Sequence, residues 1–229
     1  MSIRKILAIF QKTTKDALSN KRLILVFLIF PIMTLIFYNM MPESKDFFST
    51  IFIPMHLILV PASTMAGIIS EEKEKNTLKS LILANVKPLE YFIGVGLLVL
   101  LSTIICTSLF LLVMNLSGIE YLRFYIIIIL SSLCSMIIGS MIGIYSQNQM
   151  NANAMISPVA IIFGILPMFA SFNETIKNIA SIIYTQTLSN VLVELNKSIS
   201  IKDYLIIAIN FIVFIIIFSV IYKKRRLDA

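Results

Sequence analysis

The sequence predicts an all-α, polytopic membrane protein with six transmembrane helices, and three observations lead to this fold class. First, hydrophobic residues make up 58% of the chain and charged residues only 14%, whereas an ordinary soluble domain has roughly 25% charged residues. Second, apolar residues run consecutively through six segments of bilayer length and do not alternate as in a membrane β-barrel. Third, the basic residues concentrate on one side of these segments. We expect residues 1–229 to form a single transmembrane domain.

The six apolar segments are each about 18 to 24 residues long and contain no Asp, Glu, Lys or Arg. With a helical rise of about 1.5 Å per residue, each can cross a hydrocarbon core of roughly 30 Å. The predicted spans are Leu23–Met40, Phe47–Ile69, Tyr91–Met114, Phe124–Tyr145, Asn153–Phe172 and Tyr204–Tyr222. Prolines inside these spans predict kinks. Gly139 and Gly143 form a G-xxx-G pair that permits close helix approach, either within the chain or to a second copy.

The placement of the basic residues predicts the topology. Most of the 19 Lys and Arg residues lie before the first span, between the second and third spans, or after the last span. They are Arg4, Lys5, Lys12, Lys15, Lys21, Arg22, Lys73, Lys75, Lys79, Lys87, Lys223, Lys224, Arg225 and Arg226. The positive-inside rule places these regions and both termini in the cytoplasm, which requires an even number of spans. Basic residues placed beside membrane spans indicate no nucleic-acid partner, although the net charge is +7.

Residues 1–22 precede the first span and predict an interfacial helix. Between residues 3 and 18 the apolar side chains share one helical face, and most of the charged ones lie elsewhere. The apolar set is Ile3, Ile6, Leu7, Phe10, Ala17 and Leu18. Such a helix lies on the membrane surface, with its basic residues toward anionic lipid headgroups. The alternative is a basic tail that only fixes the topology. No cleavable signal peptide is recognisable, so we expect the first span to be retained.

Residues 71–90 form the most polar connection and are too long for a simple turn. Charged residues occupy its first part, from Glu71 to Lys75. Leu78, Leu81 and Ile82 then recur at helical spacing and are expected to pack against the membrane-proximal surface or a partner. Pro88 ends this pattern before the third span.

Two further connections have distinct compositions. Residues 146–154 between the fourth and fifth spans carry no charge. Residues 173–202 between the fifth and sixth spans have apolar positions near a helical period, with Asn173 as an N-cap. They contain too many polar residues to span, so we expect one or two short amphipathic helices at, or folded back into, the outer leaflet.

The spans lack the residues that membrane chemistry requires. Besides Cys and Tyr side chains, their only ionisable group is His56, which we interpret as a packing residue because no span supplies an acidic partner. Cys106 and Cys134 lie within apolar runs and are expected to pack as small apolar residues. No nucleophile and base, no set of metal ligands and no P-loop occur, which indicates no catalytic, metal or ATP site on this chain.

Residues 71–95 resemble the signature region of the ABC type-2 permease family, the transmembrane subunits of exporters powered by separate ATP-binding cassettes. That family has an acidic run of the type E-x-E-x-G-T, a leucine-rich stretch, a Pro-Val pair and an acidic residue before the third span. The matching positions here are Glu72, Glu74, Thr77, Leu78, Leu81, Ile82, Val86 and Glu90. Asn76 replaces the usual glycine, Asn85 the usual proline and Val95 a common lysine. The order of the spans and connections extends the resemblance to the whole chain.

The resemblance implies a coupling helix in the 71–90 connection, seated in a groove of an ATP-binding cassette ATPase. The residues assigned to this contact are Glu71, Glu72, Glu74, Lys75, Thr77, Leu78, Leu81 and Ile82, and a second, smaller contact is assigned to Gln147, Asn148 and Gln149. It also implies a second permease copy or a similar permease as partner, besides membrane lipids. This chain binds no cofactor, and ATP and Mg belong to the partner ATPase.

The expected function is therefore a permease subunit of an exporter in a bacterial cytoplasmic membrane. Uncharged spans suit an amphipathic or hydrophobic substrate, such as an antimicrobial peptide, a lipid-linked glycan or a hydrophobic drug. The composition, rich in Ile, Lys and Asn, suggests an AT-rich bacterium, in which small permeases of this kind often move peptides or give immunity to them, so a peptide is favoured. Two alternatives remain at this point: a non-transporting scaffold or sensor subunit, and a secondary carrier. A neighbouring gene for a P-loop ATPase would favour the permease, whereas a carrier would show inverted repeats, and none is evident.

Overall fold

The computed structural model describes residues 1–41, 43, 45–197 and 200–224, without the side chains of Lys45, Asp46 and Ile82. All regular structure in this part of the chain is helical. The helices are α1 (Ile3–Ser19), α2 (Lys21–Met40), α3 (Lys45–Glu74), α4 (Thr77–Leu83), α5 (Pro88–Thr107), α6 (Ile119–Tyr145), α7 (Gln149–Ala170), α8 (Glu174–Ala180), α9 (Tyr184–Val193) and α10 (Ile201–Lys224). Arg225, Arg226 and the side chain of Ile82, which the sequence analysis assigned to cytoplasmic roles, lie outside the described residues.

Six of these helices are long and apolar enough to cross a membrane, which confirms the predicted fold class. These spans comprise α2, α3 from Phe47, α5 with the 3-10 turn Ser108–Leu112 that continues it, α6, α7 and α10. Helices α1 and α4 and the last turn of α10 lie together at one end of the bundle, which we call the basic end. Helices α8 and α9 belong to the half of the bundle nearer the opposite end.

The second span differs from its predicted bounds because α3 continues beyond Ile69 to Glu74. No glycine or proline interrupts the chain there, and Glu71 pairs with Lys75 one turn later, at 2.5 Å between Oε1 and Nζ. The helix ends before Asn76, whose φ of 54° is left-handed. The charged run is therefore a rigid extension of the span. After α4, the next span, α5, begins at Pro88, because proline suits the first turn of a helix.

Helices α3 and α6 form the centre of the bundle, and the two glycines of α6 set their separation. A Cβ atom at Gly139 would lie 2.2 Å from the Ala62 carbonyl oxygen of α3, and one at Gly143 would lie 2.8 Å from the Ile69 Cβ. The G-xxx-G pair therefore serves packing within the chain. The main apolar core surrounds this contact and includes Leu57, Ile58, Ile127, Ile128 and Ile138.

The connection between α7 and α10 contains the two short helices α8 and α9, and α9 is inserted into the bundle. The Tyr184 hydroxyl at the start of α9 lies 2.8 Å from the Ser135 hydroxyl in the middle of α6. Just before it, the Ile182 carbonyl accepts a hydrogen bond of 2.8 Å from Asn210 of α10. The start of α9 thus contacts the middle of three long helices, α6, α7 and α10. Asn173 caps α8, as predicted.

Helix α1 is amphipathic and packs part of its apolar face on α5. Ile6 and Ile9 are buried, and a Cβ atom at Gly94 of α5 would lie 2.8 Å from the Ile9 Cβ. Ile3, Leu7 and Leu18 of the same helix are exposed. One part of the apolar face therefore packs on the protein, and the other part is exposed at the surface.

Candidate functional site

The basic end of the bundle contains the residues that the sequence analysis assigned to the coupling helix and to the second contact. Two of them, Glu74 and Gln149, meet directly: Glu74 Oε2 accepts a hydrogen bond of 3.1 Å from the Gln149 backbone N–H. The preceding residue, Lys73, donates through Nζ to the carbonyl oxygens of Ile144, at 2.6 Å, and of Ser146. The end of α3 is thereby attached to the turn between α6 and α7.

The charges of this attachment match the helix termini that they contact. The Lys73 ammonium lies at the C-terminus of α6, where the free carbonyl groups carry partial negative charge. The Glu74 carboxylate lies at the N-terminus of α7, where the free N–H groups carry partial positive charge. Asn148 completes this N-terminus as its N-cap, accepting from the Asn151 N–H at 2.8 Å. We call Lys73, Glu74 and the α6–α7 turn the helix-end clamp.

Glu72 is largely buried, and its carboxylate is paired with a lysine of α1. Its residue exposure is 7%, and its Oε1 lies 2.5 Å from Nζ of Lys12 on α1. Glu71 and Lys75, by contrast, form their ion pair near the surface, and the hydrogen bond and the charge of Glu71 raise the pKa of the Lys75 ammonium. The four acidic and basic residues assigned to coupling thus fall into three groups: Glu72 holds α1, Glu74 binds the start of α7, and Glu71 and Lys75 pair near the surface.

Two asparagines in the left-handed conformation bracket α4. Asn76 has a φ of 54° and Asn85 a φ of 56°. Glycine adopts this conformation freely and asparagine is the side-chain-bearing residue that adopts it most readily, which explains why Asn76 can replace the glycine of the family motif. After α4, Val86 N–H donates to the Leu81 carbonyl at 3.1 Å, as in a Schellman C-cap. Thr77 Oγ1 donates to the Glu72 carbonyl at 3.1 Å.

Helix α4 turns Leu78 and Leu81, two of its predicted coupling residues, toward the bundle. Leu78 is buried in a cluster with Ile69 and Tyr91, and Leu81 is packed against the same cluster. The outward face consists of Lys79, Ser80 and Leu83, of which Leu83 is 85% exposed. The sequence pattern did not single out these three residues, because the apolar positions of this stretch dominate it. Their offset from Leu78 and Leu81 by one or two residues is the signal that places them on the other face.

Helix α1 is fixed to this assembly by polar contacts at several points. Glu90, at the start of α5, accepts through Oε1 from the Ser2 backbone N–H at 2.6 Å and through Oε2 from the Lys87 N–H at 3.0 Å. Lys5 Nζ donates to the Asn85 carbonyl at 2.5 Å. Together with the Lys12–Glu72 pair, these bonds connect α1 to α3, α4 and α5.

A cleft of about 880 Å³ opens at the basic end between α1, the start of α2 and the end of α3. Its walls carry both signs of charge. The charged lining residues are Lys12, Asp16, Lys21, Arg22, Glu71, Glu72 and Lys75, and Gln149 closes one side. The cleft is large enough to receive one or two side chains of a protein partner.

His56, the only histidine of the chain, lies away from the basic end and is fully buried. The His56 ring makes T-shaped contacts with the rings of Phe30 and Phe110, with ring centroids 6.2 and 5.6 Å apart. Among the residues that the structure describes, no group of three or more His, Cys, Asp or Glu side chains is placed to hold a metal ion. The surroundings of His56 are those of an aromatic packing site.

No curated protein matches the chain. The family model described as ABC-2 family transporter protein matches residues 6–222, from α1 to the last turn of α10. This match covers nearly all of the 229 residues, and the chain therefore belongs to the ABC-2 family of transporter proteins.

Proposed function

We propose that this protein is the permease subunit of an ATP-binding cassette exporter that moves an amphipathic or hydrophobic substrate, a peptide being favoured. Permeases of this family lack an ATPase domain of their own, and the ATPase is supplied by an ABC partner. The positive-inside rule supports a cytoplasmic position for the basic end and for both termini. A bacterial cytoplasmic membrane is the proposed location.

The helix-end clamp is the observation that carries the proposal. A partner that pushes on α4 pushes on α3, because only Lys75 and Asn76 separate the two helices. Lys73 and Glu74 then transmit the displacement to the ends of α6 and α7. Packed helices move as rigid bodies, so a small shift at the basic end reaches the opposite side of the membrane. A scaffold subunit would need no such connection between three spans.

The proposed docking surface for the ATPase is the outward face of α4, Lys79, Ser80 and Leu83, with Glu71 and Lys75 beside it. Gln147, which is exposed next to the clamp, extends this surface toward the second contact. An apolar residue such as Leu83, surrounded by charged and polar groups, is typical of a protein interface centre. Glu72, Leu78 and Leu81 take the role of supporting α4 from inside.

A second permease copy or a similar permease is proposed to complete the substrate path. Helix α7 exposes Asn153 and, one turn later, Ser157 on its outer surface. Polar side chains in a membrane helix usually face protein or a water-filled cavity and not lipid. The uncharged spans support a substrate with apolar groups, whereas an ionic substrate would require fixed charges along its path.

The proposal is tested by affinity purification of the tagged permease at native level, with mass spectrometry of the proteins that accompany it. We expect a P-loop ATPase to co-purify, and the double substitution Lys79→Glu and Leu83→Glu to reduce its recovery at least about tenfold. Lys177→Glu, a charge reversal on α8 away from the basic end, is the matched control. Absence of any ATPase, or its full recovery with the double variant, would contradict the proposal.

A further inference from the structure

An apolar groove runs along the seam between α5, α6 and α10, on a side of the bundle that the proposed coupling does not use. Its volume is about 510 Å³, and almost all of its lining is apolar. Ile93 and Leu97 of α5, Met136 of α6 and Phe211 and Ile215 of α10 form its walls. Gly96 widens it, since a Cβ atom there would lie 3.0 Å from the Met136 methyl group.

The groove extends over about half of the membrane thickness. Its residues on α5 run from Leu89, one residue after the start of the helix, to Leu100. At about 1.5 Å per residue this distance is roughly 16 Å, close to half of a hydrocarbon core of about 30 Å. Near the basic end the groove narrows where the rings of Phe92 and Phe218 meet, with centroids 5.2 Å apart. The length of the groove along the membrane normal therefore matches the acyl region of one leaflet.

Two lysines flank the groove where it reaches the basic end. Lys87 precedes Leu89 by two residues at the start of α5, and Lys223 follows Ser219 by one helical turn on the groove side of α10. Both are exposed, and none of the ion pairs among the described residues involves either. The groove, which is about as long as one leaflet is thick, thus has an exposed lysine near its basic end on each of two of its helices, α5 and α10.

We propose that this groove is a binding site for an anionic phospholipid of the leaflet at the basic end. The acyl chain lies along Ile93, Leu97 and Ile215, and the phosphate lies between Lys87 and Lys223. Basic pockets between membrane helices favour anionic headgroups, because each lysine near the surface attracts them while the chain region remains apolar. A bound lipid would connect α5, whose start holds α1, to α10, which the helix-end clamp does not reach. Assignment to the cytoplasmic leaflet rests on the proposed orientation.

The test is the melting temperature of the detergent-purified protein, titrated with dioleoyl-phosphatidylglycerol or with dioleoyl-phosphatidylcholine. We expect the anionic lipid to raise the melting temperature by at least about 3 °C and the zwitterionic lipid to raise it less, because a ligand of the folded state stabilises by mass action. The double variant Lys87→Gln and Lys223→Gln should weaken the binding of phosphatidylglycerol at least about tenfold. Leu97→Trp, which fills the groove, should abolish the shift.

Each variant has a matched control and is compared with its own melting temperature without lipid. Lys177→Gln with Lys197→Gln removes two lysines outside the basic end, and Leu101→Trp adds the same ring one turn farther along α5, where Leu101 is exposed outside the groove. Both should respond like the unmodified protein. Equal shifts with the two lipids, no shift with either, or a normal response of either test variant would overturn the proposal. Micelles contain neither ATPase nor sidedness, so this result is independent of the proposed export function.

Discussion

At the scale of the residue, the ends of helices determine what the charged run from Glu71 to Lys75 does. Each charge has a distinct neighbour: Glu72 holds Lys12, Lys73 binds the carbonyls that end α6, and Glu74 binds an N–H group that begins α7. Glu71 and Lys75 pair with each other. Backbone groups at helix ends have no partner within their helix, so side chains of a neighbouring helix can satisfy them.

The left-handed conformation of Asn76 leads to a prediction about single residues. Asn76→Ala should lower the free energy of unfolding by about 1 kcal/mol, because a Cβ-bearing residue without a polar side chain is disfavoured there. Asn76→Gly should be close to neutral, since glycine adopts positive φ freely. Denaturant or thermal unfolding in detergent measures both.

Asn153→Ala is the control for this pair of substitutions, because Asn153 lies exposed within α7, where alanine is a good helix former. A loss for Asn76→Ala no larger than that for Asn153→Ala would contradict the assigned conformation.

At the scale of the element, α1 is held by an ion pair between the buried Glu72 carboxylate and the exposed Lys12 ammonium, and loss of this pair should be detectable in that helix alone. Lys12→Gln should increase hydrogen exchange of the α1 amides, lowering their opening free energy by about 1–3 kcal/mol, because it leaves the buried Glu72 carboxylate unpaired. Glu72→Gln should have a smaller effect in the same direction, because the exposed Lys12 ammonium remains hydrated. The double variant should cost less than the sum of the single ones, as expected for residues in contact.

Glu71→Gln provides the comparison for α1, since Glu71 pairs only within its own helix and near the surface. If it accelerates exchange in α1 as much as Glu72→Gln does, the Lys12–Glu72 pair is not what holds α1.

The contact between α3 and α6 leads to a second prediction at this scale. Gly139→Ala should destabilise the protein by more than about 2 kcal/mol or prevent folding, because its Cβ would overlap the backbone of Ala62. Gly96→Ala should be tolerated, because its Cβ would meet only the flexible end of the Met136 side chain. Yield of monodisperse protein and melting temperature measure the difference. Similar losses for the two variants would mean that α3 and α6 are not packed as closely as described.

At the scale of the whole molecule, the proposed topology predicts which surfaces a membrane-impermeant thiol reagent can reach. In a background with Cys106→Ala and Cys134→Ala, Lys177→Cys on α8 should be labelled in intact cells. Lys79→Cys on α4 should be labelled only after the membrane is opened. Both positions are exposed, so a difference reports sidedness and not burial. Labelling of Lys79→Cys in intact cells would reverse the orientation.

The candidate coupling site could be predicted from the sequence only in part. The motif from Glu72 to Glu90 and the uncharged turn at 146–154 were both assigned to the basic end, and Glu74 and Gln149 do meet there. The orientation of α4 was not predictable from the motif, because Leu78 and Leu81 are apolar whether they face a partner or the bundle. The extension of α3 to Glu74 was missed because a charged run resembles a loop in composition, although nothing in it breaks a helix.

The amino-acid sequence by itself determined the six spans, their order and the family. The length of an apolar segment and the charges beside it are local properties, and they decide whether and in which direction the segment crosses a bilayer. Only the tertiary structure decided that Gly139 and Gly143 pack against α3, that α9 inserts between four spans, and that Glu72 binds α1 while Glu74 binds α7. Lys12 and Glu72 lie 60 positions apart in the sequence, and Glu74 and Gln149 lie 75 positions apart. The geometry of these contacts follows from how closely the helices approach, and no local pattern records that distance.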